Sequence, residues 1–177
     1  ALGRIVPEKG FDVLIQAAAL LVREVPEAQI VIYGDGPERK PLIDLTQALG
    51  LGDTVSLPGW ARQAHTHRLL QGAAVSVVPS VWQEPFGLTV LEAGMMQTPV
   101  VASAVGAIPD LVRDGETGLL VPPADPAALA AALRDLLTHP QTARHIGEAA
   151  RVHVRETFAH AAMIEAYEKV LTGVVAA

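Results

Sequence analysis

The stretch 79-PSVWQEPFGLTVLEAG-94 follows a short apolar run at residues 74–78 and enters a segment, residues 88–96, where apolar side chains recur at helical spacing. The local reading is strand, loop, helix. Within the loop, Pro85 holds Glu84 extended and keeps the helix from starting early. Gly87 permits a tight turn, or a close backbone approach, at the helix start. A second carboxylate, Glu92, lies one helical turn beyond Leu88, ~6 Å further along the axis. The free N–H groups of the first turn therefore fall between two acids.

That layout suits a ligand with an anionic middle and hydroxyl-rich ends, because a helix N-terminus favours phosphate and a carboxylate accepts hydrogen bonds from sugar hydroxyls. A nucleotide diphosphate sugar has this form. By spacing alone the two Glu can equally be solvated or capping residues. The letters around them narrow the choice: Glu84-Pro85-Phe86-Gly87-Leu88, with Glu92 inside Leu91-Glu92-Ala93, closely resembles the Glu, seven residues, Glu signature of retaining glycosyltransferases of the GT-B fold, especially glycosyltransferase family 4.

Composition sets the outer bounds. A chain of 177 residues is long enough for one domain, or two small ones, and for burying roughly two thirds of its unfolded surface. Half of the residues are hydrophobic and the mean hydropathy is positive, which describes a packed domain and not a disordered one. The formal net charge of -6, with no long basic cluster, argues against a nucleic-acid partner or a polybasic membrane patch. Without cysteine there is neither a disulfide framework nor a thiolate metal site. No run reaches the ~18 consecutive apolar residues of a membrane span, and the N-terminus lacks a signal-peptide layout. The chain starts at Ala1 without Met, with residues 1–5 already strand-like, so a fragment of something longer is expected.

Taken in order, residues 2–6 read as the end of a strand and residues 11–22 as an amphipathic helix with Phe11, Leu14, Ile15, Ala18 and Leu21 on one face. Between them stand Gly3-Arg4 and Lys9-Gly10. On their own, Arg4 and Lys9 would be solvated surface charges. A Gly-Arg pair followed across a short loop by Lys-Gly is typical of family 4, and the resemblance implies that Arg4 and Lys9 hold the donor diphosphate, Arg by forked hydrogen bonds and Lys as a compact charge.

Residues 28–33 form a strand candidate followed by the Gly34-Asp35-Gly36-Pro37 turn, which lacks the third Gly of a dinucleotide fingerprint. A helix over about 38–49 stops at Gly50. A strand at 54–57 ends in Pro58-Gly59-Trp60; the resemblance places Trp60 and Ala61 beside the nucleotide base, while the simpler alternative has Trp60 covering the edge of the core. A short helix at 66–71 leads to the strand at 74–78. After the quoted stretch come a strand at 99–102 and the loop Val105-Gly106-Ala107-Ile108-Pro109-Asp110, which departs from the family's Gly-Gly-x-x-Glu segment by Val for the first Gly and Asp for the Glu. A turn at 114–118 precedes a strand at 118–121, and Pro126 opens a helix with Asp125 as N-cap.

Residues 140–174 read as helical without evident chemistry. His139, His145, His153 and His160 stand six, eight and seven apart, so no two share a helical face at metal-ligand spacing; they are expected on the surface, as are His65 and His67. Phe158, Met163, Ile164, Tyr167 and Val170 could face a second domain or pack within this one.

Six short, apolar strands alternating with helices predict an α/β fold, a doubly wound parallel Rossmann-like sheet, in which Arg4, Lys9, Trp60, Glu84, Gly87 and Glu92 follow strands and converge at one sheet edge. The expectation is a single domain over residues 1–177, matching the C-terminal, donor-binding half of a GT-B enzyme, with helices from about residue 150 able to pack on the absent N-terminal acceptor half. The resemblance implies transfer of a hexose-type sugar with retention. Arg4, Lys9 and Glu84 are the catalytic set; Arg4, Lys9, Trp60, Ala61, Glu84, Phe86, Gly87, Leu88 and Glu92 form the donor site, with Glu84 on the sugar hydroxyls and Glu92 on the ribose. No cofactor and no metal are expected, since Asp-x-Asp is missing. The isolated half should be inactive, and the setting cytoplasmic, with membrane association only through the absent half. A non-catalytic binding module on the same fold is the alternative, and an epimerase on the same two-domain fold is a further one.

Overall fold

The structure, a computed structural model, describes residues 1–175, without the side chains of residues 63, 64, 160–162, 174 and 175. After a 3-10 turn at Pro7–Lys9 come α1 (Phe11–Leu21), β1 (Ile30–Tyr33), α2 (Arg39–Ala48), β2 (Val55–Gly59), α3 (Gln63–Gln71), β3 (Ser76–Val78) and α4 (Leu88–Met95). Then follow β4 (Val100–Ser103), α5 (Ile108–Leu111), β5 (Leu119–Val121), α6 (Pro126–Thr138), α7 (Pro140–Thr157) and α8 (His160–Val175). Every strand pairing is parallel, the α/β arrangement expected from the alternation.

The apolar strands are buried on both faces because each face has its own cover. Along β3 to β5, Val77, Val101 and Val121 join α1 and α6 in one core, while Val78, Val100 and Ala102 join Val90, Ala93 and Ile108 of α4 and α5 in the other. Successive strand residues point to opposite sides, so a continuous apolar run feeds both layers. On α1, Phe11, Leu14, Ile15, Ala18 and Leu21 are all buried, as their spacing predicts. Asp125 caps α6 by accepting from the Ala128 N–H at 2.9 Å, and Gly50 ends α2 at φ +68°.

Two expectations about strands are corrected. The strands form two sheets, β1-β2 and β3-β4-β5, and not one continuous sheet. Residues 2–6 do not form a strand: they make one bridge, Leu2 to Tyr33, then follow the β1–α2 turn through Gly3 N–H to Tyr33 O at 3.0 Å and Ile5 N–H to Asp35 O at 2.8 Å. Pro7 then begins the 3-10 turn, and the ladder cannot continue. The four-residue α5 was not anticipated; Pro109 and the short length hide it from periodicity.

The histidines divide. His139 and His145 are exposed, as are His65 and His67; His160 lies outside the described side chains. His153 is buried, contrary to expectation, because α7 turns it towards Phe158, whose ring meets it edge-on with centroids 5.5 Å apart. Its Nε2 is buried without a hydrogen-bond partner. Burial, followed by the charge of Arg113, holds its pKa below the usual histidine value, with the Leu111 backbone and Glu156 pulling the other way. The folded state therefore favours the neutral ring. Its contribution is fully present above about pH 6.5 and is lost as the pH falls from there through the lowered native value. Urea midpoints should drop over that acid window in the parent, and His153→Gln should flatten the dependence; equal slopes would show that another group sets it.

Beyond Phe158, Met163, Ile164, Tyr167 and Val170 of α8 are exposed, which removes internal packing as their role. Under them, Gly147 of α7 lies against the turn after α4: a Cβ there would overlap the Gln97 carbonyl oxygen. Overpacking costs about 1–3 kcal/mol, here at the upper end because the obstacle is backbone, and the ~1 kcal/mol that Ala gains in a helix offsets only part. Gly147→Ala should lower Tm by about 4–8 °C in a thermal melt.

Candidate functional site

Three loops are laced together at the carboxyl ends of the strands, and the lacing is mostly backbone. The 3-10 turn is held to the β3–α4 loop by Val81 N–H donating to Glu8 O at 3.0 Å. Gly10, at φ +61°, lies so close to Pro79 O that a Cβ would overlap it. The β4–α5 loop closes from the other side: Ala107 N–H donates to Glu84 O at 2.9 Å, and a Cβ on Gly106, at φ +55°, would overlap the Glu84 backbone N and O.

This lacing brings Lys9 and Glu84, 75 residues apart in sequence, into direct contact. The Lys9 ammonium donates to Glu84 Oε2 at 2.8 Å and Oε1 at 3.0 Å. Ser80 Oγ, itself buried, donates to Oε2 at 3.0 Å. Lys9 and Glu84 are largely covered, with 28% and 14% of their side chains exposed, so the pair is partly shielded from solvent screening. The expectation that they form two walls of one site is sharpened: in this structure they are one hydrogen-bonded group.

Beside that group starts α4. Gly87 is its N-cap at φ +80°, and a Cβ there would meet Leu111 Cδ1 at 2.9 Å; α5 therefore sets how closely the loop can approach. Lys9, Ser80, Glu84, Gly87 and Thr89 line one small recess at this helix start. Phe86 and Leu88 are exposed, flanking it.

The remaining predicted residues are placed less tightly. Arg4 is exposed at the start of the first loop, which the Gly34–Gly36 turn supports: a Cβ on Gly34 would overlap Gly3 O. Trp60 is 71% exposed, which excludes a role covering the core edge. Ala61 beside it is half-buried, and Gly34 N–H donates to Gly59 O at 2.9 Å, tying that loop to the first. Glu92 is half-buried on α4, one turn beyond Leu88. Sequence reasoning missed Ser80 and gave Gly106 no part in the site. Ser80 stands four residues before Glu84 in a loop, where no periodicity marks it; Gly106 carried a signal, as a glycine in a small-residue loop directly after a strand.

Comparison with known proteins follows this geometry. A family model described as "Glycosyl transferases group 1" matches residues 1–153. Among curated relatives, an alpha-D-kanosaminyltransferase from Streptomyces kanamyceticus is 37% identical over 82% of this chain and 38% of its own length. A D-inositol 3-phosphate glycosyltransferase from Streptomyces coelicolor is 40% identical over 86% of this chain and 35% of its own. Among solved structures, HepE from Anabaena in complex with UDP superposes with a TM-score of 0.89 at 25% identity, covering 97% of this chain and 47% of that one. Sucrose-phosphate synthase from Thermosynechococcus elongatus gives 0.87 at 35%, covering 99% and 45%. The chain thus spans between about a third and a half of the relatives it matches, and its fold is that of the C-terminal domain of GT-B glycosyltransferases. By the family model and by these likenesses, the chain belongs to the group 1 glycosyl transferases.

Proposed function

We propose that this domain binds a nucleotide diphosphate sugar and, as half of a longer enzyme of the family 4 type, transfers a hexose-type sugar with retention and without a metal. The observation that carries the reading is the Lys9–Glu84–Ser80 group set against the start of α4. A diphosphate at that helix start meets free N–H groups and the positive end of the dipole, and it competes with Glu84 for the Lys9 ammonium. Once Lys9 turns to phosphate, Glu84 keeps the Ser80 hydrogen bond and is free to accept from sugar hydroxyls. Arg4, exposed on the adjoining loop, supplies a second cation to the leaving diphosphate.

These groups stabilise the charge that develops as the bond from the anomeric carbon to the diphosphate breaks, by donors already in place. Two cations and a helix terminus supply this without a metal, and the described residues hold no cluster of three or more metal-type ligands. Glu92 is assigned to the ribose hydroxyls; Trp60, Ala61 and Phe86 to the nucleotide end; Gly87 and Leu88 to the phosphate through their backbone. Anabaena HepE has been solved with UDP-glucose, which supports a UDP-sugar as the first donor to try. The acceptor side is assigned to the part of the longer protein outside this chain, with which the exposed apolar side chains of α8 are suited to pack.

Thermal shift of the domain with UDP, GDP and ADP and with their sugars tests the donor reading. At 100-fold excess over Kd, binding should stabilise by about 2.7 kcal/mol, a rise in Tm of about 5–10 °C. No shift with any of them at millimolar concentration would move the assignment to a non-catalytic module. In the longer protein, the anomeric configuration of the product decides retention, and activity in excess chelator decides metal independence.

A further inference from the structure

The two sheets do not simply stop. Between the free edge of β1 and the free edge of β3 runs a groove of about 450 Å³, lined by side chains such as Leu21, Ile30, Val77, Leu133 and Leu137. We propose that this groove is the seat of a further parallel strand, an extended apolar segment of about four residues joined in cis to Ala1, which unites the two sheets into one.

Three observations on the backbone carry this. First, the pairing that such a strand would make has already begun: Ala1 N donates to Val31 O at 2.9 Å, Tyr33 N–H donates to Ala1 O at 2.9 Å, and Leu2 bridges Tyr33 in parallel. Extended backwards, that register runs beside Ile30 and Val31 into the groove. Secondly, the facing edge of β3 has the matching vacancy. Ser76 N–H is committed to Pro99 O on the β4 side, and bonding direction alternates along a parallel strand, so Val75 and Val77 present their backbone groups to the groove, where among the described residues β3 has no strand partner. Ser76 Oγ is also buried and unpartnered there. Thirdly, the dimensions fit. One inserted strand separates its neighbours by about 9.6 Å, and the lining from Ala28 to Tyr33 and from Ala74 to Val77 runs about 13 Å per four residues.

The chemistry asks for apolar side chains on both faces, since the α1 and α6 side is Leu-rich and a buried strand reads as a continuous apolar run. It asks for no proline, because every N–H of a central strand is used. A seated strand would also anchor residues 3–10, and with them Arg4 and Lys9, although the strand seat stands independently of any ligand.

The experiment compares residues 1–177 with two versions extended before Ala1 by five residues, one Val-Val-Leu-Ile-Val and the other Gly-Ser-Pro-Ser-Gly. The apolar extension should raise Tm by about 5 °C or more and slow amide exchange at Val75 and Val77 about tenfold or more, with the polar extension leaving both unchanged. Equal Tm and exchange in the two versions would overturn the proposal. So would slow exchange at Val75 and Val77 in the unextended chain, whether independent of concentration, the edge then being closed internally, or rising with concentration, a second copy then being the occupant.

Discussion

Glu84→Gln, made in the longer enzyme, is expected to lower kcat by about 10- to 150-fold while leaving UDP affinity unchanged or slightly higher. The carboxylate is assigned to sugar hydroxyls, and losing one charge-assisted hydrogen bond costs about 1.5–3 kcal/mol. UDP affinity should hold because the substitution takes away the acceptor that now engages Lys9 through both oxygens, leaving the ammonium free for phosphate. Gln keeps the size and one acceptor oxygen for Ser80, so the loop has no reason to move. Single-turnover transfer and calorimetric UDP titration on the same preparation separate the two effects. A parallel loss of both would place Glu84 on the diphosphate or in the loop architecture and overturn its assignment.

Gly106→Ala should be the more damaging change although the residue touches no ligand. At φ +55° a side chain pays about 1–2 kcal/mol, and its Cβ would overlap the backbone N and O of Glu84, adding about 1–3 kcal/mol of overpacking. The loop can relieve that overlap only by carrying Glu84 away from Lys9. Tm should fall by about 6–12 °C, with transfer reduced at least as far as in Glu84→Gln. Gly115→Ala is the control: Gly115 has φ +76° but nothing within 4 Å of an added Cβ, so it carries the conformational cost without the overlap. If Gly115→Ala lowers transfer as much as Gly106→Ala does, loss of stability and not displacement of Glu84 explains both.

Much of this was legible in the chain because it rests on local physics. The apolar stripe of α1, the Asp125 cap, the Gly50 stop and the alternation of short buried strands with helices each depend on neighbours within a few residues. The Glu84-Pro85-Phe86-Gly87-Leu88 run likewise declares a loop entering a helix. What was misread depends on distant partners. Residues 2–6 have strand-forming letters, yet a strand needs edges, and here only Tyr33 offers one. His153 looks like any polar helix residue until Phe158 folds back over its ring.

By itself, then, the sequence determined the fold class, the position of the helix start that faces the site, and the chemical inventory of Arg4, Lys9, Glu84 and Glu92. Only the tertiary structure decided that Lys9 and Glu84 touch, that Ser80 holds the carboxylate and that Gly106 presses on its backbone. The reason is physical. Residue type and spacing settle hydrogen bonds three or four residues away, whereas the separation of two loops 75 residues apart is set by how closely backbones can approach, and that is decided by the missing side chains of Gly10 and Gly106.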